Sequence, residues 1–249
     1  MAIGPENQTV YRAPAQQEAV SVDQGLRSYM LGIYNYMGGG LVLTGLMSML
    51  FASTPALWQL VYTQTPNGYL QPTLLGWIVM FAPLGLILLF GFRLQSMSVA
   101  AAQAVYWVFT GLMGLSLTSV GLQYTGESIA RTFFVCAATF AGMSLYGYTT
   151  KRDLTGFGHF LIMGVWGLVV ASVVNIFLGS SGLNFAISVL GVLIFTGLTA
   201  YDTQKIKATY YAGDGREIAQ KKSIMGALNL YLDFINLFLF LLRFMGDRR

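Results

Sequence analysis

Seven long apolar runs alternate with short polar segments along most of the chain. Each run has about 19 to 21 residues, enough for an α-helix rising 1.5 Å per residue to cross a hydrocarbon core of about 30 Å. The connecting segments are mostly too short to hold a separate domain. The pattern therefore predicts an all-α integral membrane protein with spans near 31–51, 74–92, 100–120, 129–148, 160–178, 185–203 and 226–244.

The first 28 residues differ from the rest of the chain because they are polar and contain no apolar run. Both a cleavable signal peptide and a membrane span require such a run. We therefore expect residues 1–28 to form a flexible tail and residues 29–249 to form a single seven-helix transmembrane domain.

Composition supports this assignment and excludes several classes of function. Only 10% of the 249 residues are charged, against roughly 25% in soluble domains, and the mean hydropathy is +0.61. A single cysteine, Cys136, and a single histidine, His159, exclude an internal disulfide and a Cys-based or multi-His metal centre. The net charge is +4, but no basic run is interleaved with aromatic residues, so we expect no nucleic-acid partner.

The distribution of lysine and arginine predicts the orientation of the bundle. A cytoplasmic N-terminus places ten of the 14 basic residues on the cytoplasmic side, including the pairs Lys151–Arg152 and Lys221–Lys222. The positive-inside rule therefore favours that orientation. The last three basic residues, from Arg243 onward, then lie on the opposite side, so the sequence leaves open whether the seventh run crosses the membrane or re-enters it.

Two aspartates lie inside the predicted spans, near the same membrane face. Asp202 is at the end of the sixth run, and Asp233 is about two helical turns into the seventh. A charged side chain at the bilayer centre costs about 2.5–3.5 kcal/mol, so an intramembrane carboxylate is a candidate functional group. Asp202 taken alone could instead extend to the headgroups, and the sequence leaves this interpretation open.

The seventh run also carries a polar stripe that includes Asp233. Its members are spaced by four, three and seven residues, which places them on one face of a helix. Such a face is expected to point towards a polar interior or pathway, not towards lipid. The other residues of the stripe are Asn229, Asn236 and Arg243.

The chemistry of these groups suggests pH sensing and cation binding. Two carboxyl groups in one low-dielectric site cannot both ionise cheaply, so Asp202 and Asp233 would titrate as a coupled pair. Once deprotonated, they offer the hard oxygen ligands that Ca²⁺ prefers, supplemented by the amide oxygens of Asn229 and Asn236, and protons compete with the ion. Arg93, at the end of the second run, reaches the same depth as Asp202 and is the expected counter-ion.

Two stretches resemble the signature of a known family. AYDTQKIK at 200–207 and ALNLYLDFINLFLFLLRF at 227–244 are similar to the paired motifs of the Bax inhibitor-1 (transmembrane Bax-inhibitor motif) family. The resemblance covers the whole seven-span length and implies a last helix that is central and wrapped by the other six. It also implies a pH-sensitive calcium leak in which Asp202 and Asp233 form the hydrogen-bonded gating pair and Arg93 latches onto Asp202.

Three functions remain open on this evidence. The first is a calcium leak channel gated by the aspartate pair. The second is a regulatory protein that restrains a membrane protease or a cell-death or stress complex without conducting ions. The third is a cation/proton exchanger, which the same carboxyl groups would support. In each case we expect a non-enzymatic protein of the bacterial inner membrane, with calcium, protons and lipid as partners and no cofactor.

A Gly-Ser-Ser-Gly sequence at 179–182 resembles the GxSG motif of rhomboid proteases, whose serine is activated by a histidine. His159 is the only histidine, and it lies at the other end of the fifth run, roughly 30 Å from Ser181. The motif is therefore predicted to be a simple turn. No lysine lies within a run, which excludes a retinal Schiff base.

Overall fold

The computed structural model describes residues 14–65 and 70–248, and helices dominate this part of the chain. Seven helical segments are long and apolar enough to cross a membrane, as the sequence predicts. The long helices are α1 (Pro14–Ser53), α3 (Leu74–Arg93), α4 (Val99–Ser116), α6 (Gly126–Thr149), α7 (Thr155–Leu178), α8 (Ser181–Ala208) and α9 (Arg216–Met245).

Short elements that the hydropathy pattern does not predict connect some of the spans. The helix α2 (Pro55–Val61) and the antiparallel strands β1 (Tyr62–Gln64) and β2 (Leu70–Pro72) lie between α1 and α3. The helix α5 (Thr118–Gln123) continues α4 after an interruption at Leu117, and the two together form the third crossing. These elements are too short to produce a clear periodicity.

Helix α1 begins well before the first apolar run. Residues 14–28, which the sequence predicts to be part of a flexible tail, are helical, and residues 1–13 lie outside the described part of the chain. Proline at the first helical position and the good helix formers in Ala-Gln-Gln-Glu-Ala account for this extension, because helix formation does not require an apolar sequence.

Serine and threonine side chains fix the starts of several spans. The hydroxyl groups of Thr73, Ser98, Thr125 and Ser180 each accept a hydrogen bond from the backbone N–H three residues later. Just before Ser180, Gly179 ends α7 in the left-handed conformation with φ of 60°. The Gly-Ser-Ser-Gly sequence is therefore the predicted turn between two helices.

Helix α9 is the most buried of the seven spans. In its most apolar stretch 67% of the residues are buried, compared with 44% for α8 and at most 28% for the others. It packs against α8, α1, α6 and α4, whereas α3 packs mainly on α4 and α7 mainly on α8. The last span is thus the most buried of the seven, and four of the other spans make most of its contacts.

The two ends of α9 lie at opposite ends of the bundle. Near its start, the Lys222 ammonium donates to the carbonyl oxygen of Thr209 at the end of α8, over 3.1 Å. Beyond its end, the backbone N–H of Asp247 donates to the Ser128 hydroxyl at the start of α6, over 2.8 Å. With 30 residues, or about 45 Å of helix, α9 therefore crosses the bundle completely.

Positive charge is concentrated at one end of the molecule. We call this the basic end; α1, α4, α7 and α9 start there, and α3, α6 and α8 finish there. The opposite end includes Arg131, whose guanidinium pairs with Asp247 over 2.9 Å. The described cations of the basic end are Arg27, Arg93, Lys151, Arg152, Lys205, Lys207, Arg216, Lys221 and Lys222.

Candidate functional site

The structure brings Asp202 and Asp233 together from two adjacent helices. Asp202 lies near the end of α8 and Asp233 lies on the buried α9, and their carboxyl groups are close enough to interact electrostatically. Only 4% of the surface of Asp233 is exposed. The pair predicted from the cost of intramembrane charge thus lies at the interface between α8 and α9, and the contact favours the pair over the headgroup interpretation of Asp202.

One oxygen of the pair is both buried and without a hydrogen-bond partner among the described residues. Oδ2 of Asp233 is buried and accepts no hydrogen bond from any described residue. Lys205, one turn after Asp202 on α8, interacts with Asp202 electrostatically. Because a buried acceptor without a partner is costly, this oxygen is the part of the pair best placed to accept an ion or a proton.

Arg93 is not brought to the pair. It is exposed at the end of α3, and no ion pair between Arg93 and another described residue is present. Its carbonyl oxygen accepts a hydrogen bond from the Ser96 hydroxyl over 2.9 Å. The reason is topological, since α3 packs on α4 and not on α8. The latch between Arg93 and Asp202 stays a prediction.

The polar stripe of α9 is only partly directed to the interior. Asn229 and Asn236 are partly buried, and the Asn236 amide donates to the carbonyl oxygen of Leu232 on its own helix, over 2.8 Å. Arg243 is exposed at the opposite end of the bundle, with its guanidinium 5.7 Å from the centre of the Phe240 ring. The structure therefore keeps Arg243 away from the pair.

A chain of hydroxyl groups next to Asp202 was not predicted from the sequence. The Tyr34 hydroxyl is hydrogen-bonded to the Ser144 hydroxyl, which in turn contacts the Thr203 hydroxyl at 3.0 Å. Thr203 also donates to the carbonyl oxygen of Thr199 over 2.7 Å. The chain links α1, α6 and α8, and the only sequence signal for it is the position of Thr203 beside Asp202 in the AYDTQKIK motif.

Two large cavities open between α1 and α6, and neither of them contains the pair. Their volumes are about 610 Å³ and about 580 Å³, and α9 closes both of them at Phe234. A third, smaller cavity lies between α3, α4 and α9 and also excludes the pair. Asp233 is thus buried among packed side chains in this conformation, whereas Asp202 is partly exposed.

The carboxyl groups do not form part of a larger acidic cluster. Within the residues that the structure describes, no group of three or more His, Cys, Asp or Glu side chains is arranged to hold a metal ion. A calcium ion usually takes six to eight oxygen ligands. Two aspartates alone would therefore hold such an ion weakly.

These features define a class: an α-helical protein with seven helices long and apolar enough to cross a membrane and an aspartate pair at the interface between its last two helices. Comparison with known proteins agrees. The profile of the family described as "Inhibitor of apoptosis-promoting Bax1" matches residues 26–249. The chain therefore belongs to the Bax inhibitor-1 family, and it is an integral membrane protein.

Bacterial relatives cover almost the whole chain. An uncharacterized protein of Caulobacter vibrioides is 52% identical over 238 residues, which are 95% of each chain. An uncharacterized protein of Rickettsia prowazekii is 51% identical over 227 residues, 91% of this chain and 92% of that protein. The inner membrane protein YbhL of Escherichia coli is 43% identical over 240 residues, 96% of this chain and 99% of that protein.

Proposed function

We propose that the protein conducts a calcium leak across the bacterial inner membrane and that the proton content of the Asp202–Asp233 pair controls it. The observation that carries the proposal is the contact between these two carboxyl groups within the bundle. Membership of the Bax inhibitor-1 family supports it.

The control follows from the chemistry of the contact. A hydrogen bond between two carboxyl groups requires a proton on one of them, because two carboxylates have no hydrogen to share. Loss of that proton leaves two like charges in a partly buried site, where repulsion is stronger than in water. The contact between α8 and α9 therefore depends on pH.

The pair also accounts for calcium as the ion. Carboxylate oxygens are hard ligands, and Oδ2 of Asp233 is buried without a partner. Passage requires the packed side chains around the pair to move apart, since the described cavities exclude it. The bundle is oriented with its basic end, and hence its N-terminus, in the cytoplasm, in accordance with the positive-inside rule.

The test is calcium flux into proteoliposomes that contain the purified protein, measured between about pH 6 and about pH 8. We expect wild type to conduct with a clear pH dependence, and Asp202→Asn and Asp233→Asn to lose or shift that dependence, because an amide does not titrate. Asp153→Asn is the control. Hydrogen bonds from the side chain and backbone of Thr155 hold the pKa of the exposed Asp153 below its usual value, so this carboxylate keeps its charge throughout the range.

Each result has a distinct meaning. If the pH dependence of the calcium flux is unchanged in both Asp202→Asn and Asp233→Asn, the pair does not gate the channel. Absence of flux above empty liposomes at every pH removes the channel and leaves the regulatory function, in which the bundle binds another membrane protein. Stoichiometric proton movement against calcium identifies an exchanger instead of a leak.

A further inference from the structure

The first cavity between α1 and α6 has the shape of a lateral groove at the basic end. On α1 its lining extends from Arg27 to Gly38, and on α6 from Tyr148 to Ala137. Phe234 of α9 closes its inner end. At 1.5 Å per residue the lining on α1 is about 17 Å long, close to half of a hydrocarbon core of about 30 Å. The groove therefore matches the depth of a single leaflet.

The walls of this groove are mainly apolar. Its two inward hydroxyl groups, Tyr34 and Ser144, already satisfy each other by a hydrogen bond. Its volume of about 610 Å³ lies in the range of binding pockets for small molecules, about 300–1,000 Å³. An occupant must therefore present hydrocarbon to the groove.

The mouth of the groove carries positive charge. Arg27 is exposed at its rim and forms no ion pair with a described side chain. Lys207 contacts the lining residue Tyr148: its ammonium donates to the carbonyl oxygen of Tyr148 over 2.8 Å and stands 4.7 Å from the centre of that ring. Basic pockets between transmembrane helices at this depth suit the phosphate of a lipid headgroup. The second cavity has no cation in its lining.

We infer that this groove binds one anionic phospholipid from the leaflet at the basic end. Its phosphate lies at Arg27 and Lys207, and an acyl chain runs between α1 and α6 as far as Phe234. Because Phe234 is the neighbour of Asp233 on α9, the end of the acyl chain reaches the helix that carries the aspartate pair. This inference is independent of the proposed calcium leak.

The structure provides a matched pair of variants to test the groove. A side-chain carbon added at Gly38, in the groove, or at Gly32, on the same helix but outside the groove lining, meets no atom within 4 Å. Gly38→Phe would fill the groove, and Gly32→Phe adds the same ring elsewhere. For the charge, Arg27→Gln is compared with Arg152→Gln, which removes an exposed cation of the same end that does not line the groove.

The measurement is native mass spectrometry of the full chain released from bilayers with equal amounts of phosphatidylglycerol and phosphatidylcholine. We expect wild type to retain one phosphatidylglycerol, and Gly38→Phe but not Gly32→Phe to lose it. Arg27→Gln should reduce the preference for phosphatidylglycerol about fivefold, the contribution of one cation near an anionic lipid, while Arg152→Gln leaves it unchanged.

Three results would overturn the inference. The first is that Gly38→Phe retains as much lipid as wild type. The second is that wild type retains equal amounts of the two lipids. The third is that Gly38→Phe, and not Gly32→Phe, converts a dimer to a monomer. The last result would assign the groove to a second copy of the chain. Monodisperse elution of every variant in detergent establishes that a loss of lipid does not reflect unfolding.

Discussion

Gly147 on α6 allows the closest approach between two helices near the aspartate pair. A Cβ atom at this position would overlap the carbonyl oxygen of Ala200, two residues before Asp202 on α8. Small residues commonly permit such approach in membranes, where van der Waals contact replaces the hydrophobic effect as the source of helix association. The placement of Asp202 therefore depends on Gly147, a residue without a functional side chain.

Gly147→Ala is expected to destabilise the bundle. The added methyl group must push α6 away from backbone atoms of α8, and overpacking of this kind typically costs about 1–3 kcal/mol. Gly142→Ala on the same helix is the control, because its Cβ meets no atom within 4 Å. The measurement is the thermal unfolding midpoint in detergent. Equal midpoints for the two variants would contradict the close approach.

At the scale of elements, the hydroxyl chain of Tyr34, Ser144 and Thr203 connects three helices. α1 and α6 are separated by the two cavities, and Ser144 is a point at which a side chain of α1 reaches α6. Hydrogen bonds between transmembrane helices contribute modestly, with a mean of about 0.6 kcal/mol and a maximum of about 1.7 kcal/mol. We expect this chain to contribute more than the mean value because Ser144 contacts two partners.

Ser144→Ala should lower the free energy of unfolding by about 1 kcal/mol, since it leaves the hydroxyl groups of Tyr34 and Thr203 with one partner fewer. Thr139→Ala serves as the comparison on α6, because its exposed hydroxyl bonds only to the carbonyl oxygen of Val135 on the same helix. Reversible unfolding of both variants in mixed detergent micelles gives the two values. A cost for Ser144→Ala no larger than that for Thr139→Ala would show that the chain does not hold the helices together.

At the scale of the whole molecule, we predict seven complete crossings, which would place the two termini on opposite sides of the membrane. The C-terminal segment is held at the opposite end by a hydrogen bond of 3.1 Å from the backbone N–H of Thr125 to the carbonyl oxygen of Asp247. The ion pair of Arg131 with Asp247 offsets some of the positive charge on that side. The basic residues near the C-terminus thus do not require a re-entrant segment.

Labelling with a membrane-impermeant maleimide in intact cells checks this topology. Asp247→Cys should react from outside, whereas Lys151→Cys should react only after the cells are opened, because the two positions lie at opposite ends of the bundle. The wild-type chain is the background control, since its only cysteine, Cys136, is buried. Reaction of both variants from the same side would show that α9 does not cross.

Some of the candidate site was predictable from the sequence, because the cost of charge in the membrane is large and local. This cost identified Asp202 and Asp233 as candidate functional groups. The absence of a histidine near Gly179 excluded a protease site there, so the Gly-Ser-Ser-Gly sequence was predicted to be a turn. The hydroxyl chain and the position of Arg93 were not predictable in this way. Serine, threonine and tyrosine are common in spans, so their presence alone does not indicate a hydroxyl chain. The sequence at the end of α3 does not indicate which helix packs against it, so the surroundings of Arg93 could not be predicted.

The sequence by itself determined the membrane class, the number and approximate limits of the spans, and the concentration of charge at one end. Each of these follows from hydropathy and charge read along a single segment. Only the tertiary structure decided which helices meet: the burial of α9, the contact of Asp202 with Asp233, and the groove between α1 and α6. The reason is physical, since lipid tails and protein interiors are equally apolar, and hydropathy cannot distinguish a helix face that packs on protein from one that faces lipid.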